Sequence, residues 1–148
     1  MRLFHPIPAS GRKRLVAAIR AAEQATSGEI RVHVQRCCSD DPVRDATRIF
    51  ERLGMTRTVA RNGVLFFLAT RDRRFAVIGD TGIHQHVGDA FWQATAAAMT
   101  PHFSRGDMID GIAAGVQAAG EALKRHFPHQ RNDINELPDT ISEGAYRT

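Results

Sequence analysis

Five residues could do chemistry together if the fold brought them to one place. Glu29, Asn62, Asp80 and Asp89 offer carboxylate and amide oxygens, which are the ligands of a hard divalent cation such as Ca²⁺ or Mg²⁺. Arg61 offers a planar fork suited to a phosphate or another anion. Ser27, Thr81 and two glycines, Gly79 and Gly82, stand beside them in the sequence. These residues come from separate stretches of chain, so no linear motif assembles them and the secondary structure must. A second reading stays open at this point, in which Asn62 and Asp80 simply close turns through their own side-chain hydrogen bonds.

The pattern of apolar residues predicts those elements. Ser10 can cap a helix running to Ala25, with Leu15, Ile19 and Ala22 on one face. Glu29–Gln35 alternates strictly, with Ile30, Val32 and Val34 pointing one way, as a strand with one apolar face does. Asp41-Pro42 opens a second helix with a buried stripe of Val43, Ala46, Ile49, Phe50 and Leu53, and Gly54 ends it. Residues 63–70 are apolar on both faces and read as a central strand. Arg71-Asp72-Arg73 turns the chain back into a strand over 75–79. Helices follow over about 88–101 and 107–127. A flexible start covers 1–9, one domain spans 10–127, and 128–148 form a polar tail.

Two strands flanking a helix should be parallel with a right-handed crossover, and the third should run antiparallel to the second. The expected fold class is therefore α/β: a small mixed sheet sandwiched between helices. That topology puts Ser27, Glu29, Arg61, Asn62, Gly79, Asp80 and Thr81 at one rim, with His84–Asp89 leaving from it. Cys37, Cys38, Asp40, Asp41, Thr70, Arg71 and Asp72 fall at the other.

Composition narrows the function. The chain has 148 residues, with 24% charged and 43% hydrophobic residues and a formal net charge of +4. That is ordinary for a globular protein. Basic residues are spread over several elements, and with one Trp and one Tyr no aromatic-lined nucleic-acid surface is expected. No apolar run is long enough to span a membrane, and the start, Met1–Pro6, carries no apolar leader. The adjacent Cys37 and Cys38 form no disulfide framework, so a cytoplasmic location is expected and both thiols read as inert. His84 and His86 lack a zinc spacing signature and read as solvated loop residues. Trp92 and Phe91 read as core, and His33 as packed under a helix. There is no GxSxG, HExxH, EF-hand or phosphate-loop signature.

The middle of the chain resembles a TPM domain. The resemblance is carried by Ser27-Gly28-Glu29-Ile30-Arg31-Val32, Arg61-Asn62-Gly63-Val64-Leu65, Ile78-Gly79-Asp80-Thr81-Gly82-Ile83 and Phe103-Ser104-Arg105-Gly106-Asp107, in that order. His126-Phe127-Pro128 and Asn135-Glu136-Leu137-Pro138-Asp139 are similar to the family's short soluble bacterial subgroup. The family includes thylakoid repair proteins, receptor auxiliary proteins and many bacterial members. The resemblance implies an α/β sandwich and a divalent-cation site, Ca²⁺ or Mg²⁺, near Glu29, Asn62, Asp80 and Asp89. It also implies an accessory role with a protein partner in assembly or maintenance of membrane-associated complexes. The alternative it implies is a weak metal-dependent acid phosphatase, with Asp80 as ligand and Arg61 as phosphate clamp. The chain departs from the family pattern at Arg61, where many members carry Asp, and at Gly79-Asp80-Thr81-Gly82, where many show Gly-Tyr-Gly.

Overall fold

Helix α1 (Ala9–Glu23) begins without the expected Ser10 cap. In the computed structural model, which describes residues 7–129 and 141–143, the N-cap is Pro8 and no side chain bonds to the helix start. Ile7, just ahead of it, is buried in the core, so packing rather than a cap sets where α1 starts. Thr26 and Ser27 then tie the end of α1 to the end of the last helix. The Thr26 hydroxyl and the Ser27 N–H both donate to the Phe127 carbonyl.

Strand β1 (Glu29–Gln35) and helix α2 (Pro42–Arg52) form as the pattern predicts. The Asp41 carboxylate accepts from Val43 N (3.0 Å) and Arg44 N (3.2 Å), and Pro42 occupies the first turn, where its missing N–H costs nothing. A single 3-10 turn, Met55–Arg57, leads to β2 (Gly63–Ala69) and β3 (Arg74–Gly79). β1 and β2 are parallel with Glu29 opposite Gly63, and β2 and β3 are antiparallel with Val64 opposite Gly79. The sheet order is β3-β2-β1-β4. β4 (Ser142–Glu143) comes from the expected tail and pairs parallel with β1. Ile141, beside it, is buried against the core, so this part of the tail packs back on the domain.

Every residue of β2 is buried, and the strand therefore needs cover on both faces. Val64, Phe66 and Leu68 join Ile30, Val32 and Val34 in the larger core under α1 and the two C-terminal helices. Leu65, Phe67 and Ala69 face the other way, into a smaller core with Ala46, Ile49 and Phe50 of α2. His33 lies on this second side, 4% exposed and stacked on Phe67.

Helix α3 (Thr81–Ser104) departs from the expected 88–101 at both ends. It starts seven residues early because Asp80 caps it, its carboxylate accepting from Thr81 N at 2.7 Å. The expected loop over His84–Asp89 is helical up to Gly88, whose φ of 71° and ψ of 176° break the helix before it resumes. Those angles suit glycine alone. Hence His84 and His86 are helical, where a loop was expected. Pro101 does not end the helix; it sits near the C-terminus and is exposed to solvent. Helix α4 (Met108–His126) then packs along α3 and α1.

Two outcomes follow from this packing. Phe66 is 1% exposed at the centre of the larger core, and Phe66→Ala should cost about 3–5 kcal/mol in a urea unfolding titration. Burial holds the His33 imidazole below its usual value of 6.5, outweighing the bond to Gln35, while Arg31 and Arg52 push the same way. The unfolded chain then takes up this proton first. The stability His33 confers is present above about pH 6.5 and is lost as pH falls through the lower folded value. Thermal melts should fall less steeply from pH 7 to pH 5 in His33→Gln than in the parent.

Candidate functional site

The three strand ends meet at one rim through backbone hydrogen bonds. Glu29 N–H donates to Asn62 O at 3.4 Å, and Asp80 N–H donates to Gly63 O at 2.9 Å. Asn62 is 1% exposed, and its Nδ2 reaches Ser27 Oγ at 3.3 Å. Asn62 and Asp80 therefore do share one rim, as the topology requires. Glu29 is buried beside them, at the start of β1.

Arg61 changes what this rim can do. Its Nε donates to Asp80 Oδ2 at 2.7 Å and its Nη2 to Asp80 Oδ1 at 2.9 Å, a two-point ion pair. The Asp80 side chain is 4% exposed, that of Arg61 45%. A buried carboxylate needs a counter-charge, and Arg61 supplies it. The bond also raises the arginine's own pKa, so the charge on that side is secure. Both Asp80 oxygens are engaged, one by Thr81 N–H as well.

The local backbone is built around this pair. Arg61 has a left-handed φ of 52°, unusual for a side chain other than glycine. Gly82 N–H donates to Arg61 O at 2.8 Å, and a Cβ at Gly82 would lie 2.0 Å from Ala60 O. Only glycine lets the first turn of α3 sit so close to the loop that carries Arg61.

Asp89 stands apart from this cluster. Its side chain is 87% exposed and lies 3.6 Å from His84 Nε2. Trp92 Nε1 donates to His84 Nδ1 at 3.0 Å, which places the imidazole proton on Nε2, facing Asp89. Trp92, expected in the core, packs against the larger core but is only half-buried, and its free side borders an open groove.

The residues named for a divalent cation thus share a region without enclosing a point. Among the described residues no three His, Cys, Asp or Glu side chains are grouped to hold a metal ion. Asp80 already carries the Arg61 guanidinium, with which a cation there would have to compete. The Oδ1 of Asn62 is buried with no hydrogen-bond partner. With Asp80 paired and Asp89 exposed and set apart, these side chains form no closed carboxylate cage of the kind Ca²⁺ or Mg²⁺ takes.

What the site does contain is a groove of about 540 Å³ between α2 and α3. Val43, Phe50, Ile78 and Trp92 give it apolar walls, and Arg61 with Asp80 closes one end. Val43, expected in the buried stripe of α2, is instead 53% exposed, because its place on the helix faces the groove rather than the sheet. The groove runs along β3, which is an edge strand of the sheet among the described residues. Asp80 pairs with Gly63, so Ile78 and Ala76 bond to β2 while Val77 and Gly79 turn their backbone N–H and C=O outward. The signals for this groove were present in part: Trp92 lies eight residues after His84, but the break at Gly88 hides that they meet.

At the opposite rim, Cys37 and Cys38 are in no disulfide. Burial, then the bond and charge of Asp45, push the Cys38 thiol up to about 12, so it stays protonated and unreactive.

Removing the counter-charge tests the rim. Arg61→Ala should lower the melting temperature more than Arg74→Ala, whose guanidinium, among the described residues, bonds to the Ser39 and Asp40 carbonyls. The loss should shrink in an Asp80→Asn background, where no buried charge is left alone. Equal losses in both backgrounds would show that the pair is not what holds the rim.

Comparisons agree with this architecture. A family model described as TPM domain matches residues 6–122. The solution structure of BA42 protein from the psychrophilic bacterium Bizionia argentinensis is 40% identical, with a TM-score of 0.88, covering 97% of this chain and 99% of that one. Two more distant solution structures share the fold. An N-terminal domain from P. gingivalis has 20% identity and a TM-score of 0.64, covering 88% of this chain and 100% of that one. The N-terminal domain of cg2496 from Corynebacterium glutamicum has 17% identity and a TM-score of 0.63, covering 96% and 84%. No curated protein matches the chain. No helix among the described residues is long and apolar enough to cross a membrane. With the family model spanning most of its length and a 40% identical structure matching it almost end to end, the chain belongs to the TPM domain family.

Proposed function

We propose that this domain is a non-catalytic accessory module that binds an extended segment of a partner protein in the groove beside β3. The observation that supports this reading is the coincidence of an open sheet edge with an apolar groove. Val77 and Gly79 offer outward backbone groups, and Phe50 and Trp92 flank them. A peptide adding as a strand would satisfy the first and bury apolar side chains against the second. Arg61, still partly exposed, and Glu51 and Asp89 on the walls would select charge at the ends of the segment. Partners at membrane-associated complexes in the cytoplasm are the setting that the family resemblance suggests.

A metal-dependent acid phosphatase is the second reading. The partnerless Asn62 Oδ1 favours it, because that atom would accept a cation. The engaged Asp80 carboxylate weighs against it, since water activation needs a free oxygen there. Phosphate release from a generic phosphomonoester with Ca²⁺ or Mg²⁺ should not exceed that of the Asp80→Asn/Asp89→Asn variant.

The binding reading is tested with a displayed library of extended peptides selected against the domain. Enriched peptides should shift the backbone amide resonances of Val77 and Gly79. Thr47→Trp, at an exposed α2 position lining the groove, should weaken them at least about tenfold while leaving the melting temperature unchanged. Peptides that bind equally to Thr47→Trp, or that shift only residues elsewhere, would refute the groove as the docking site.

A further inference from the structure

A second hollow, of about 670 Å³, opens at the opposite end of the sheet. It lies between the turn joining β2 to β3 and the turn joining α3 to α4. Its floor is apolar: Leu68, Phe75, Phe103 and Met108, with Phe75 and Phe103 packed edge to face at 4.7 Å. This volume falls in the range of small-molecule sites, roughly 300–1,000 Å³.

Among the described residues, the charged side chains that line it are both positive, Arg73 and Arg105, with no carboxylate in the lining. Arg73 is exposed and takes part in no ion pair or hydrogen bond among the described residues. Arg105 touches Asp107 at 3.5 Å and His102 Nδ1 at 3.1 Å, both weak holds for a guanidinium. Hydroxyls complete the rim. Thr100 donates its proton to Ala96 O, whereas the Thr70 Oγ1 is buried without any partner. An anion held by Arg73 and Arg105 would find a further hydroxyl at Ser104.

We propose that this hollow binds a single-chain anionic amphiphile, a carboxylate or phosphate monoester on a hydrocarbon tail. Arg73 and Arg105 hold the head, since the guanidinium fork matches both oxyanions. The tail lies over Phe75, Phe103 and Met108, where removal of apolar surface from water drives binding. Both halves are needed: inorganic phosphate leaves the floor wet, and an uncharged alcohol leaves Arg73 without an anion. The site is separate from the groove beside β3, and its ligand does not depend on that groove's function.

Amide NMR titration of the whole chain tests this with four probes: decanoate, decyl phosphate, decanol and inorganic phosphate, each below its aggregation concentration. Decanoate or decyl phosphate should shift the amides of Thr70–Arg73 and Ser104–Met108 saturably, with decanol and phosphate at least about tenfold weaker. The Arg73→Ala/Arg105→Ala variant, altered at two exposed positions, should bind at least about tenfold more weakly with an unchanged melting temperature. Thr100→Trp, exposed on α3 at the mouth, should block the tail without touching either arginine. Decanol binding as tightly as decanoate, or shifts confined to other residues, would overturn the proposal. So would binding to phosphatidylglycerol vesicles with no binding of the free amphiphiles, which would make this face a membrane contact.

Discussion

Strand β2 has no face that can meet water. All seven of its residues are buried, and a strand in that state must be paired along both edges and covered above and below. β1 and β3 supply the edges, one parallel and one antiparallel. The parallel partner forces a crossover, and α2 is that crossover, placed on the side where Leu65, Phe67 and Ala69 need cover. The remaining helices go to the opposite side, over Val64, Phe66 and Leu68. The two rims, and everything chemical at them, are consequences of how β2 is enclosed.

At one rim this enclosure collects polar groups that the core cannot absorb. Asp80 sits at the end of β3 and the start of α3, and burial there would be costly for a lone carboxylate. Arg61, held in a left-handed conformation at the end of the preceding loop, meets it with two bonds. The same pairing that makes the buried acid tolerable removes it as a free ligand or base.

Much of the scaffold was legible because its signals are local and periodic. The alternation of Ile30, Val32 and Val34, the doubly apolar run from Gly63, and the Asp41-Pro42 start of α2 each name their element directly. The misplaced boundaries have tertiary causes. Ile7 anchors α1 ahead of Ser10 by packing, and Asp80 starts α3 early because it lies where the sheet ends. Gly88 looked like a helix start and is an interruption inside one. β4 is two residues long, and its pairing depends on Ile141 finding the core, a contact no short pattern announces.

The candidate residues show the same division. Their common rim could be derived from strand order alone, because parallel and antiparallel pairing dictate which strand ends coincide. Whether they would act together could not. Side-chain type told that Arg61 could hold an oxyanion; only the folded chain decided that the oxyanion is Asp80, since the pairing joins residues 61 and 80 across a loop, a hairpin and a helix start. Asp89 and Trp92 met His84 only because Gly88 broke the helix between them. Periodicity records which faces of an element are apolar, and that was enough to build the sheet. The partner of a charge depends on distances between segments remote in the chain, and those exist only once the core has closed.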